Sequence, residues 1–143
     1  MNILSYLIKH KDSNVGNFLI STDPKNPRVF AVDNSLAFSS LESNRGTAWQ
    51  KVRVKRLPKK TIERLKLINK TDLEDALSVV AQFEVQNRQL VSVDFTENLN
   101  EKKGIRRSDR IIQFGITKRE IGNVFKRMQN LIKKVESGKI KTF

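Results

Sequence analysis

Between Asn2 and Lys9 the apolar residues Ile3, Leu4, Leu7 and Ile8 recur at the three- and four-residue interval of one helical stripe. This spacing predicts a short helix ending at His10. Two β-prone runs follow, Asn17 to Ser21 and Arg28 to Asp33, flanking STDPKNP, whose Asp, Asn and two Pro are turn formers. Together they predict a hairpin. Asn34 to Trp49 is rich in Ser, Asn and Gly without periodicity and reads as a loop with one turn of helix at most.

Pro58 fits the start of a helix with Ile62, Leu65 and Leu67 or Ile68 as its stripe. Thr71 and Glu74 form a capping-box pattern for a second helix running to about Phe83, with Leu73, Leu77, Val80 and Ala81 inward. Leu90, Val91 and Val93, then Ile111, Ile112, Phe114 and Ile116, predict two strands paired across the polar loop KKGIRRSD. The longest periodic stretch comes last. Thr117 and Glu120 repeat the capping box, and Ile121, Val124, Phe125, Met128, Leu131, Ile132 and Val135 mark a long helix that Gly138 stops. The expected fold class is therefore α+β, mostly helical, as one domain over residues 1–143. Residues 1–40 would hold the first hairpin, and 41–143 a helical remainder with a second hairpin and the long C-terminal helix.

The chain has 143 residues, 28 of them Lys or Arg against 15 Asp or Glu, with one His and no Cys. Disulfides, thiolate chemistry and Cys- or His-rich metal cages are thereby excluded. The longest uninterrupted apolar run is four residues, Val29 to Val32, where a membrane helix needs about 20. No transmembrane segment or signal peptide is expected, and the chain reads as cytoplasmic.

The formal charge of +13 is unevenly placed. Residues 51 to 70 hold nine basic and one acidic side chain, residues 71 to 100 one basic and six acidic, and residues 101 to 143 thirteen basic and four acidic. The first fifty residues are nearly neutral, with five basic and four acidic. The excess therefore forms two basic blocks with an acidic one between them.

The near-neutral start holds the candidate chemistry. In HKDSNVGNFLI, followed by VFAVDN, the order is His10, Asp12, Gly16, Asn17, hairpin, Asp33. A carboxylate beside an attacking hydroxyl, with hard oxygen ligands for Mg²⁺, is the inventory phosphoryl transfer needs. A hairpin between Asn17 and Asp33 would return both to one end. This pattern resembles the catalytic loop of the protein-kinase-like fold, and VGNFLI and VDNSLAF look closest to the aminoglycoside-phosphotransferase-like and phosphoinositide 3/4-kinase-like branches. The sequence departs from Ser/Thr and Tyr kinases at Lys11, where many have Arg, and at Asn34 and Ser35, where they have Phe and Gly.

The resemblance implies a kinase-like C-terminal lobe, with Asp12 as catalytic base, Asn17 and Asp33 as metal ligands, His10 and Gly16 supporting the loop, and Mg²⁺ and ATP as cofactors. Only nine residues precede His10, and the six glycines are scattered at 16, 46, 104, 115, 122 and 138. The N-lobe, with its glycine-rich loop and strand Lys, is thus expected from a separate N-lobe or an upstream polypeptide, the chain being a truncated product, one piece of a split protein or a remnant, and the chain alone is expected to be inactive. The acceptor, whether protein, lipid or small molecule, stays open.

Lys51, Arg53, Lys55 and Arg56 follow the motif where a substrate segment would lie, so an anionic substrate is a candidate partner there. A basic module binding nucleic acid or anionic lipid without catalysis is the rival reading. Specific nucleic-acid binding is not expected, because one Trp, one Tyr and no aromatic RNA-binding strand accompany the charge.

Overall fold

The structure, a computed structural model, describes residues 2–10, 15–32, 37–38, 55–95 and 97–143. In chain order these form α1 (Asn2–Leu7), β1 (Phe18–Ile20), β2 (Val29–Ala31), β3 (Arg56–Leu57), α2 (Lys59–Leu67) and α3 (Lys70–Leu77). There follow β4 (Ala81–Gln86), β5 (Gln89–Val93), β6 (Ile105–Ser108), β7 (Ile111–Phe114), α4 (Lys118–Glu136) and β8 (Lys141–Thr142). The architecture is α+β, and no described helix is long and apolar enough to cross a membrane. The chain divides into two compact units, residues 1–58 with 134–143, and residues 59–133.

In the first unit α1 ends at Leu7, earlier than the predicted stop at His10, because residues 8–10 form its cap. Lys9 takes a left-handed φ of 53°, His10 N–H donates to Ser5 O at 2.9 Å, and Lys9 N–H donates to Tyr6 O at 3.3 Å. These are the two bonds of a Schellman cap, with Lys9 in the place glycine usually takes. The expected hairpin is present, β1 and β2 pairing antiparallel with Phe18 opposite Ala31 and Ile20 opposite Val29. Its turn is held locally: Asp23 Oδ1 accepts from Lys25 N–H at 2.9 Å, and Ser21 N–H closes onto Arg28 O at 2.9 Å. The same unit contains a short parallel pair of β3 and β8, extended by Phe143 N–H donating to Leu57 O at 3.0 Å. The loop expected over Asn34 to Trp49 lies outside the described residues except at Ala37 and Phe38.

The second unit departs from the sequence expectation in three places. The helix after Asn69 is capped by Asn69 and Asp72, not by Thr71 and Glu74. Asn69 is already extended, and its side chain accepts from Asp72 N–H while the Asp72 carboxylate accepts from Asn69 N–H. That helix ends at Leu77, not Phe83, and residues 81–86 are strand β4. Ala81, Phe83 and Val85 then alternate with Gln82, Glu84 and Gln86, a period of two hidden by the helical spacing of Leu73, Leu77 and Val80.

The pairing also differs. The sheet runs β5-β4-β7-β6, all antiparallel, so β5 and β7 are not partners. Each pairs with its sequence neighbour through a two-residue turn. Asn87 and Arg88, both with positive φ, make the first, and Asp109 at φ 44° opens the second. The KKGIRRSD segment, expected as a loop, supplies β6. With this sheet the remainder after residue 40 is less helical than predicted.

The long helix matches its pattern. Thr117 N–H and Oγ1–H both donate to Glu120 Oε2, at 3.0 and 2.7 Å, and Ile121, Val124, Met128, Leu131 and Ile132 are buried. Gly138, at φ 72°, follows its end. In α2, Ile62 is buried and Ile68 half-buried, whereas Leu67 is exposed, which settles the stripe in favour of Ile68.

A row of buried polar side chains orders the sheet. Gln82, Gln113 and Arg106 face one another across β4, β7 and β6, and Arg106 and Gln113 are each 1 % exposed. Gln113 Nε2 donates to Gln82 Oε1 at 2.7 Å and to Glu97 O at 2.6 Å, while its Oε1 accepts from Leu99 N–H at 3.0 Å. The Arg106 guanidinium donates to the carbonyls of Asn100 and Lys103, both at 2.7 Å, of Ile116 at 3.2 Å, and of Ser78. The row thus fastens residues 97–103 to the sheet with its polar groups satisfied. Arg106, which the sequence places in a basic block and in a polar loop, is a core residue. Burial pushes its guanidinium below the ordinary value, although an arginine stays charged at any physiological pH.

Candidate functional site

The first unit contains the described part of the predicted constellation, His10, Gly16 and Asn17. His10, at 9 % exposure, follows the Schellman cap, so the turn that ends α1 also fixes where the loop begins. A 3₁₀ turn spans Val15–Asn17 and delivers Asn17, 8 % exposed, to the start of β1. Gly16 is exposed within that turn. The turn is right-handed and open to any residue, so it does not itself demand glycine's freedom at φ.

The hairpin closes back onto this point. Val32 N–H donates to Asn17 O at 2.9 Å, continuing the β1–β2 ladder by one step beyond Phe18 and Ala31. Asn17 therefore lies directly across from the residue that precedes Asp33 in the chain. Farther along, Phe38 N–H donates to Ile8 O at 2.7 Å, which ties the segment after Asp33 to the end of α1. The described backbone thus pairs residue 17 with residue 32, and residue 8 with residue 38. Asp12 and Asp33 lie outside the described residues, as do Lys51 and Arg53.

The donor chemistry suits a hard cation, since an Asn amide oxygen and Asp carboxylates are oxygen ligands of the kind Mg²⁺ takes. Among the described residues no group of three or more His, Cys, Asp or Glu side chains could hold a metal ion. Lys55 and Arg56 are exposed beside β3. Tyr6 of α1 carries Lys134 Nζ over its ring at 5.6 Å, a cation–π contact within the same unit.

Sequence reasoning missed the buried Gln82–Gln113–Arg106 row. Its one sequence signal is an Arg in the inward register of a strand, which looks polar and loop-like when strands are sought by apolar alternation. Comparison with known protein families, with curated proteins and with solved structures finds no match to this chain.

Proposed function

We propose that the chain is the C-terminal-lobe portion of a kinase-like phosphotransferase that uses ATP and Mg²⁺ and is inactive by itself. The observation that carries this reading is the Val32-to-Asn17 hydrogen bond at 2.9 Å, which puts the two ends of the motif's hairpin opposite each other. Asp12 is the base that accepts the acceptor hydroxyl's proton. The Asn17 amide oxygen and the Asp33 carboxylate are the cation ligands, and His10 is a packing residue of the loop. Bound Mg²⁺ would supply charge neutralisation on the nucleotide phosphates. Phosphate-covering glycines and the strand Lys come from outside these 143 residues, and Lys51, Arg53, Lys55 and Arg56 are the candidate contacts of an anionic substrate.

Titration of the isotope-labelled chain with Mn²⁺ and ATP tests the site without requiring turnover. The side-chain amide resonances of Asn17 are expected to broaden first, Asp33→Asn is expected to suppress this, and Asp12→Asn to leave it largely intact. Broadening spread evenly over the surface carboxylates would remove the metal assignment. ATP turnover by the chain alone, abolished in Asp12→Ala, would overturn the claim that it is inactive by itself.

A further inference from the structure

Among the described residues β6 is an edge strand, paired with β7 and with no other strand. Gly115 N–H donates to Gly104 O at 2.9 Å, and the register continues with Ile105 opposite Phe114 and Ser108 opposite Ile111. Antiparallel pairs alternate between hydrogen-bonded and non-bonded residues. Arg106 and Ser108 therefore turn their backbone groups toward β7, while Ile105 and Arg107 turn N–H and C=O away from the sheet. The side chains of these two residues also share one face. Ile105 is 58 % exposed, and Arg107 is exposed. Beside the strand is a pocket of about 260 Å³ lined by Leu99, Asn100, Lys103, Ile105, Arg106 and Arg107.

The charge around this edge is predominantly positive. Lys103, Arg107 and Arg110 are exposed, and the ion pairs of the described residues join other side chains, Lys59 to Glu63, Lys70 to Glu74 and Lys118 to Glu101. Asp109, in the turn, is the one acid between Lys102 and Arg110. The opposite edge strand, β5, has no charged residue from Gln89 to Val93 and so lacks this electrostatic component.

We infer that the β6 edge is a docking site for an extended acidic segment of another protein, which adds as a further strand. Main-chain hydrogen bonds to Ile105 and Arg107 give the pairing, exposed Ile105 packs against an apolar side chain, and Lys103, Arg107 and Arg110 select acidic ones, Lys103 and Arg107 from the lining of the neighbouring pocket. A nucleic acid has no alternating N–H and C=O to match such an edge. The pocket lining also offers no aromatic ring for base stacking.

The test is fluorescence anisotropy with a fluorescein-labelled seven-residue peptide that has Thr at its odd positions and Glu, Val and Glu at its even ones, so that Glu and Val share one strand face, against the whole chain at low salt. Binding is expected, weakening as salt rises, and it is expected to vanish when alternate peptide nitrogens are methylated or Glu is replaced by Lys. Arg107→Glu and, separately, Lys103→Glu, each checked for unchanged circular dichroism, are expected to weaken binding by about tenfold or more. Equal binding of the methylated or the Lys peptide would overturn the inference, as would indifference to both charge reversals. So would displacement of the peptide by a single-stranded oligodeoxynucleotide, or a dimer of the free chain that Arg107→Glu dissociates.

Discussion

The β1–β2 hairpin and the four-stranded sheet are both built from β-prone runs, yet they treat those residues in opposite ways. In the hairpin Leu19, Ile20, Val29 and Phe30 are all exposed, Ile20 at 73 %. In residues 59–133 the buried set includes Ile62, Val79, Ile121, Val124, Met128, Leu131 and Ile132, together with Gln82, Arg106 and Gln113. A two-stranded ribbon has too little surface to form a core of its own. Apolar content therefore marks where strands form, and neighbours decide which strands become a core. In the sheet, the polar row supplies part of that decision, because only one register lets Gln82, Gln113 and Arg106 reach their carbonyls.

The largest expected effect breaks that row. Arg106→Ala removes the donors to four carbonyls and empties a buried volume, and it is expected to cost about 3 to 5 kcal/mol in urea unfolding. A loss below about 1 kcal/mol would show that the segment is held by something else. Gly115→Ala comes next. Its Cβ would lie 1.9 Å from Ser78 O and 2.9 Å from Arg106 Nη1, so backbone must move, and a loss of about 2 to 3 kcal/mol is expected. By contrast, Ile20→Ser in the exposed hairpin is expected to change stability by no more than about 0.5 kcal/mol. A large loss there would erase the contrast between the two regions.

How much of this was legible follows from the same contrast. Helix α1, the hairpin and the capped long helix were readable because local chemistry sets them: turn formers, the Thr117–Glu120 box, and an apolar stripe in step with 3.6 residues per turn. The candidate site was readable as an order of residues, and the structure adds the Asn17–Val32 pairing while Asp12 and Asp33 lie outside the described residues. The sheet was not readable. Leu73, Leu77 and Val80 mimic helical spacing up to the start of β4, and the turn at Asn87 and Arg88 contains no glycine to announce it. β6 was hidden for a different reason. Its inward residue is an arginine whose partners are backbone carbonyls from Ser78 to Ile116, and no window of sequence displays those partners.

The smallest expected effect sharpens the role of surface charge in the sheet unit. Lys118 Nζ donates to Glu101 Oε2 at 2.9 Å between two exposed side chains. That hydrogen bond, with the charge of Lys118 behind it, holds the Glu101 carboxyl below its ordinary value, and the same bond raises the Lys118 ammonium above its own. A depressed carboxyl contributes stability above its unfolded-state pKa and loses it as pH falls through the lower folded value. A raised ammonium contributes below its unfolded-state pKa and loses it as pH climbs through the higher folded value. The pair's contribution should thus be level across neutral pH and fade at both the acid and the alkaline end. Screening by water and salt keeps it small, in contrast to Arg106. The measurement is the difference in urea midpoint between the natural chain and Glu101→Gln, followed over pH and salt. A difference that survives acidification or high salt would assign the effect of Glu101 to packing instead of charge.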